Sequence, residues 1–161
     1  MTTPAARSHL ARLMDYSYRE RGRIHYAQVR PMRTRRIHSL HMLQQALALP
    51  AGITCDCSES VTMLCHIAGL DDPNGFGYDG TGYTGTLLHH LPHLANARTC
   101  KLGDLVVFGP GSGDHVCMVR QSGANPLLWS HGQESGPIFI SLRAEDAYQR
   151  NPTRFLSIAR L

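Results

Sequence analysis

"GDLVVFGPGSGDHVCMV", residues 103–119, decides the fold. "LVVF" and "HVCMV" are short runs of β-branched and apolar residues. "GPGSGD" between them is built of turn formers, so the stretch reads as two antiparallel strands joined by a loop. Downstream, "LLWSH", "IFISL" and "RFLSIARL" repeat the strand pattern between Gly, Pro, Asn and Ser. Upstream the period is helical. Leu10, Leu13, Met14 and Tyr18 predict an amphipathic helix over 5–20. Leu40, Leu43, Ala46 and Leu47 predict a second, stopped by Pro50 and Gly52. Val61, Leu64, Cys65 and Ala68 predict a third, starting at Ser58 and closed by Gly69. A short helix is expected around Thr86–Leu91, after the glycine-rich loop "DDPNGFGYDGTGYTG". Loops of that size in a compact domain are usually functional. Helices first and strands afterwards indicate an α+β domain, a helical half packed on an antiparallel sheet.

The chain of 161 residues fits a single domain, 1–161. No run approaches the ~18 apolar residues of a membrane span. The N-terminus mixes Arg into its apolar positions and lacks a signal-peptide core, so any export is expected by another route, such as a holin, a virion, a secretion apparatus or lysis. Residues 1–36 hold nine arginines against Asp15 and Glu20, and form an Arg-rich helical extension of the same domain. Such a face suits an anionic partner, or is simply a solvated helix face. The segment lacks the interleaved aromatics of RNA-binding sheets, so nucleic acid is not the expected partner.

Five cysteines are present, at 55, 57, 65, 100 and 117, so at least one thiol is unpaired within the chain. Cys55 and Cys57 form a C-x-C pair, which Cys65 with His66, or His115 with Cys117, could complete as a zinc site. That spacing is a weak zinc signal, and no metal or other cofactor is expected. Cys65 and Cys117 occupy apolar positions and read as core. Cys55 is either packing or a redox neighbour. Cys57 differs, because it opens the third helix. The unpaired amides and dipole there favour an anion, hence the thiolate, and can hold an oxyanion beside it. A thiolate nucleophile needs a base, and the base an orienting partner. His115 starts "HVCMV" and His131 ends "LLWSH", on strands that could face one side of a sheet. This is a papain-type order of nucleophile, base and third residue.

"DCSESV", "GDLVVFGPGSGDHVCMV" and "WSHGQESGP" together resemble the NlpC/P60 cysteine peptidases, over about residues 24–140. "GYTGTLL" and "SHGQESGP" look like the branch found in actinobacteriophage lysins. The resemblance implies a papain-like domain that hydrolyses an amide bond in peptidoglycan stem peptides, the γ-D-glutamyl–diamino-acid bond by analogy. It implies Cys57 as nucleophile, His115 as general base and His131 as the residue that orients it. Tyr26 falls where the family often has a Tyr near the nucleophile, and Asp56 and Ser58 flank the cysteine and shape its turn. Glu59 stands where the family commonly has Gly. A carboxylate there suits the helix dipole but opposes a neighbouring thiolate, or could bind a substrate amino group. Alternatives are a phage tail protein keeping this fold, another thiol-dependent amidase, acyltransferase or toxin, and a non-enzymatic metal or nucleic-acid module.

Overall fold

The structure, a computed structural model, describes all 161 residues. Its elements are α1 (Pro4–Arg19), β1 (Ile24–Tyr26), α2 (Leu40–Ala48), β2 (Ile53–Cys55), α3 (Cys57–Ile67), α4 (Thr84–His90), β3 (His93–Leu94), β4 (Leu105–Phe108), β5 (His115–Gln121), β6 (Leu127–Ser130), β7 (Ile138–Ser141), α5 (Leu142–Tyr148) and β8 (Thr153–Leu156). The architecture is α+β. Six strands form one antiparallel sheet in the order β3-β8-β4-β5-β6-β7. No helix is long and apolar enough to cross a membrane.

The helices form where capping and apolar spacing agree. Thr3 caps α1 by accepting from the Ala6 amide, and Pro4 takes the first helical position, where its missing N–H costs nothing. Leu10, Leu13 and Met14 are fully buried along one face. Asp56 caps α3 in the same way. Gly69, at φ +77°, ends α3. Its amide bonds to the His66 carbonyl and the next, Leu70, to that of Cys65, a turn that needs left-handed backbone at the glycine.

α3 lies against β5 at the centre of the molecule and is buried from Cys57 to Ile67, His66 excepted. Two of its buried hydroxyls are satisfied locally: Ser60 Oγ donates to the Cys57 carbonyl and Thr62 Oγ1 to that of Ser58. Strand alternation gives the sheet two faces. Leu105, Val107, Val116, Met118 and Trp129 join α1, α2 and α3 in the main core. Val106, Phe108, Cys117, Val119 and Leu128 form a second, smaller core, with Leu142 of α5 packed against it.

Four elements have no counterpart in the sequence pattern: β1, β2, β3 and α5. β1 and β2 are a short parallel pair apart from the main sheet, and their register sets Tyr26 beside Cys55. α5 begins where the strand "IFISL" was expected to continue. Ser141 ends β7 and caps the new helix, accepting from the Ala144 amide. Seven of the nine arginines in the N-terminal extension are exposed, as on a solvated face, but α1 is also held by charge. Arg7 bonds the Leu102 carbonyl and the Asp104 carboxylate, and Asp15 of the same helix takes a two-pronged bond at 2.9 Å from Arg120 on β5. α1 is thereby fastened to the sheet by charge as well as by its apolar stripe.

Candidate active site

Cys57 is the first residue of α3 and only 4% exposed. β2 delivers the chain to this point, and Asp56 makes the turn rigid. One oxygen of Asp56 accepts from the Glu59 amide at 2.8 Å and from Ser58 Oγ at 2.9 Å. The other faces Arg30 Nη1 at 2.8 Å. Arg30 also donates to Ser58 Oγ at 3.0 Å and, through Nε, to the Gly82 carbonyl at 2.9 Å. One guanidinium therefore ties the turn that carries Cys57 to the glycine-rich loop. The sequence reading placed Arg30 in a general basic face. Nothing in its local pattern distinguishes it from its neighbours, since its partners lie 26 to 52 residues away.

Cys57 opens onto a cleft of about 900 Å³ lined also by Gln28, Arg30, Gly82, Tyr83 and Asp114. The lining is mainly polar. The glycine-rich loop supplies one wall and the β4–β5 turn another, in keeping with a functional role for a long loop.

His115, the first residue of β5, stands at the end of the sheet, close enough to Cys57 for that thiol to help raise the imidazole pKa. Its Nε2 lies 2.9 Å from Ser130 Oγ and 3.3 Å from Glu145 Oε1. Glu145, on α5, is 2% exposed and also receives a bond from Gln149 Nε2 at 2.8 Å. Burial works against the His115 imidazolium, but Cys117, Cys57 and Glu145 together raise its pKa well above the usual value. Burial also pushes the Cys117 thiol up, so near neutral pH Cys117 is a neutral partner and Glu145 supplies the negative charge. Burial opposes ionisation of Glu145 in turn, yet its bonds to His115, Gln149 and Ser130 hold its carboxyl below the ordinary range.

His131 does not take the orienting place beside His115. Its Nε2 bonds the Cys55 carbonyl at 3.1 Å, and its Nδ1 is buried without a partner. The reason is the two-residue period of a strand. Ser130 pairs with Cys117 and shares its face with His115, so the next residue, His131, turns towards the helical side. Burial lowers the His131 pKa, with the Cys55 and His25 backbone partly offsetting it, and the ring is held neutral. It props the β2–α3 turn that carries Cys57. The groups that reach the His115 imidazole are Ser130 and Glu145. Glu145 could have been anticipated from "SLRAEDAY", where a Ser cap precedes an acidic first turn.

The remaining candidates separate. Tyr26 lies at the site: its ring meets that of His131 edge-on at 5.6 Å, and burial together with nearby Cys57 raises its pKa. Asp56 and Ser58 line the cleft. Glu59 does not. It is fully buried, and one carboxylate oxygen accepts from both the amide and the hydroxyl of Thr34 at 2.8 Å. Thr34 belongs to a 3-10 turn at Arg33–Arg36, which this carboxylate fastens to α3. Glu59 is thus unavailable to bind a substrate amine, and burial, only partly relieved by Thr34, raises its pKa. All five cysteines are free thiols. Cys55 and Cys65 are wholly buried in the main core. The donor atoms of His115, Cys117 and Glu145 lie within 4.8 Å of one another, close enough to share a metal ion.

No protein-family model matches this chain, and no curated protein matches it.

Proposed function

We propose that this protein is a papain-like cysteine peptidase of NlpC/P60 character that hydrolyses an amide bond in peptidoglycan stem peptides. The observation that carries the reading is Cys57 at the start of a buried helix, opening on a polar cleft, with His115 near enough for the thiol to act on its pKa. Four ordered sequence segments that resemble that family supply the substrate class.

In this mechanism the Cys57 thiol passes its proton to His115, and the thiolate attacks the scissile carbonyl carbon. The tetrahedral oxyanion forms beside the Cys57 and Ser58 amides at the start of α3, which precede the first helical bond, from the Ser60 amide to the Asp56 carbonyl. As the C–N bond breaks, imidazolium His115 returns the proton to the leaving amine. A water molecule, deprotonated by His115, then attacks the thioester and releases the acid. Glu145 and Ser130 hold the imidazole and favour its charged form. The protein requires no cofactor in this scheme. Its expected partner is the bacterial cell wall, reached from a lysing cell or a virion.

The test is digestion of purified peptidoglycan, with mass spectrometry of the fragments. New amine and carboxylate ends at one stem-peptide bond, absent with Cys57→Ala, are the expected result. Undiminished cleavage by Cys57→Ala would overturn the assignment.

A further inference from the structure

The neighbourhood of His115 away from the cleft contains more chemistry than a base needs. Cys117 and Glu145 converge on it with Ser130, all at 2% exposure or less. Glu145 Oε1 stands 3.3 Å from His115 Nε2 and 3.9 Å from Cys117 Sγ. A groove of about 480 Å³, lined by Tyr26, Asp114, His115, Glu134 and Gln149, leads to the imidazole from outside.

We infer that His115, Cys117 and Glu145 form a binding site for a thiophilic divalent cation of the zinc class, and that its occupation withdraws His115 from Cys57. Three arguments support the site. The first is geometric. Tetrahedral zinc, with bonds of about 2.0 Å to nitrogen and oxygen and about 2.3 Å to sulfur, sets its ligand atoms roughly 3.3–3.6 Å apart. The nitrogen–oxygen separation meets this value, and the sulfur–oxygen separation exceeds it by a few tenths of an ångström. The second is charge. A thiolate, a carboxylate and a neutral imidazole together balance a divalent cation, so the filled site is neutral, as a buried site must nearly be. The third is ligand type. A mixed sulfur, nitrogen and oxygen set selects a borderline metal such as Zn²⁺ over Ca²⁺ or Mg²⁺, which take oxygen alone. Ser130 Oγ, 2.9 Å from Nε2 and 3.4 Å from Oε1, stands near the fourth position.

Binding and protonation compete. The cation displaces the Cys117 thiol proton to solvent, together with any proton shared between His115 and Glu145. Metal affinity therefore rises with pH. Cys57 is not one of the ligands, and this separates the site from simple capture of a reactive thiol. The inhibitory consequence rests on reading His115 as the base; the binding itself does not.

Co²⁺ is the probe, because thiolate ligation gives it a near-ultraviolet charge-transfer band. The expected result is a one-equivalent band in the full chain. It persists in Cys57→Ser and disappears in Cys117→Ser, with Glu145→Gln weakening binding by about tenfold or more. Circular dichroism of each metal-free variant confirms folding. Should Cys117→Ser not fold, the Glu145→Gln and Cys57→Ser pair decides. No band in the wild type, a band lost in Cys57→Ser, or undiminished binding in Glu145→Gln would each overturn the site. Zn²⁺ should also block peptidoglycan digestion, with chelator restoring it. A protein that shows the Co²⁺ pattern but cleaves no peptidoglycan keeps the metal site and loses the hydrolase. A peptidoglycan hydrolase with no band does the reverse.

Discussion

The two faces of the central sheet do different work. Towards α1 and α3, the sheet presents Leu105, Val107, Val116, Met118 and Trp129 to a continuous apolar core. Towards α5, the smaller core gives way at one end to a polar group: His115, Cys117, Ser130 and Glu145. The first face stabilises by area removed from water, which is tolerant of detail and large in sum. The second holds ionisable groups out of water, where each must be matched to a partner or become costly. Stability is therefore expected to depend mostly on one face and the orientation of His115 mostly on the other.

The sharpest test of that division is Cys57→Ala. Activity on peptidoglycan should fall to background while unfolding free energy changes by less than about 1 kcal/mol. A large stability loss would mean that the thiol is mainly a packing group. Trp129→Ala probes the apolar face. It should cost about 3–5 kcal/mol in denaturant unfolding, because it leaves a cavity and removes the indole N–H bond to Ser17 Oγ at 2.9 Å.

Glu145→Gln probes the polar face. A neutral amide keeps the volume but loses the charge that favours imidazolium, so kcat on a soluble stem-peptide substrate should drop by roughly tenfold or more while KM changes little. The pH profile should shift as well: the limb that reports loss of the His115 proton should move to lower pH, since one of the partners that raise its pKa has gone. An unchanged profile would reduce Glu145 to packing.

Two buried carboxyls sharpen the contrast further, with opposite signs. Burial raises Glu59, so its contribution to stability is full below the unfolded carboxyl value of about 4.3 and is lost as pH rises through the folded value. Glu145 is held down, chiefly by His115 against the opposing effect of burial. Its contribution is present above the unfolded value and lost as pH falls through the folded one. Glu59→Gln should therefore gain stability relative to the wild type as pH rises above about 4.3, and Glu145→Gln should lose it, in paired unfolding curves. The smallest effect expected is ionic. Raising salt should weaken wall binding modestly through the exposed arginines, such as Arg33 and Arg36, and leave the Arg120–Asp15 pair in place.

The amino-acid sequence by itself determined the helical half, the strands from Leu105 to Ser141, the α+β class, and Cys57 as the residue that opens a helix after a turn. These are local properties. Apolar period, capping side chains and turn formers act within a few residues, so they can be read in order along the chain. Only the tertiary structure decided which groups meet. Arg30 reaches Asp56 and Gly82 across long stretches of sequence, Glu59 turns inward to Thr34, and Glu145 arrives from a helix hidden behind a strand pattern. The case of His131 shows why. Its place after a strand made it a candidate for the third role, but a one-residue step along a strand reverses the face. That register gave the position beside His115 to Ser130 and sent His131 to the Cys55 carbonyl.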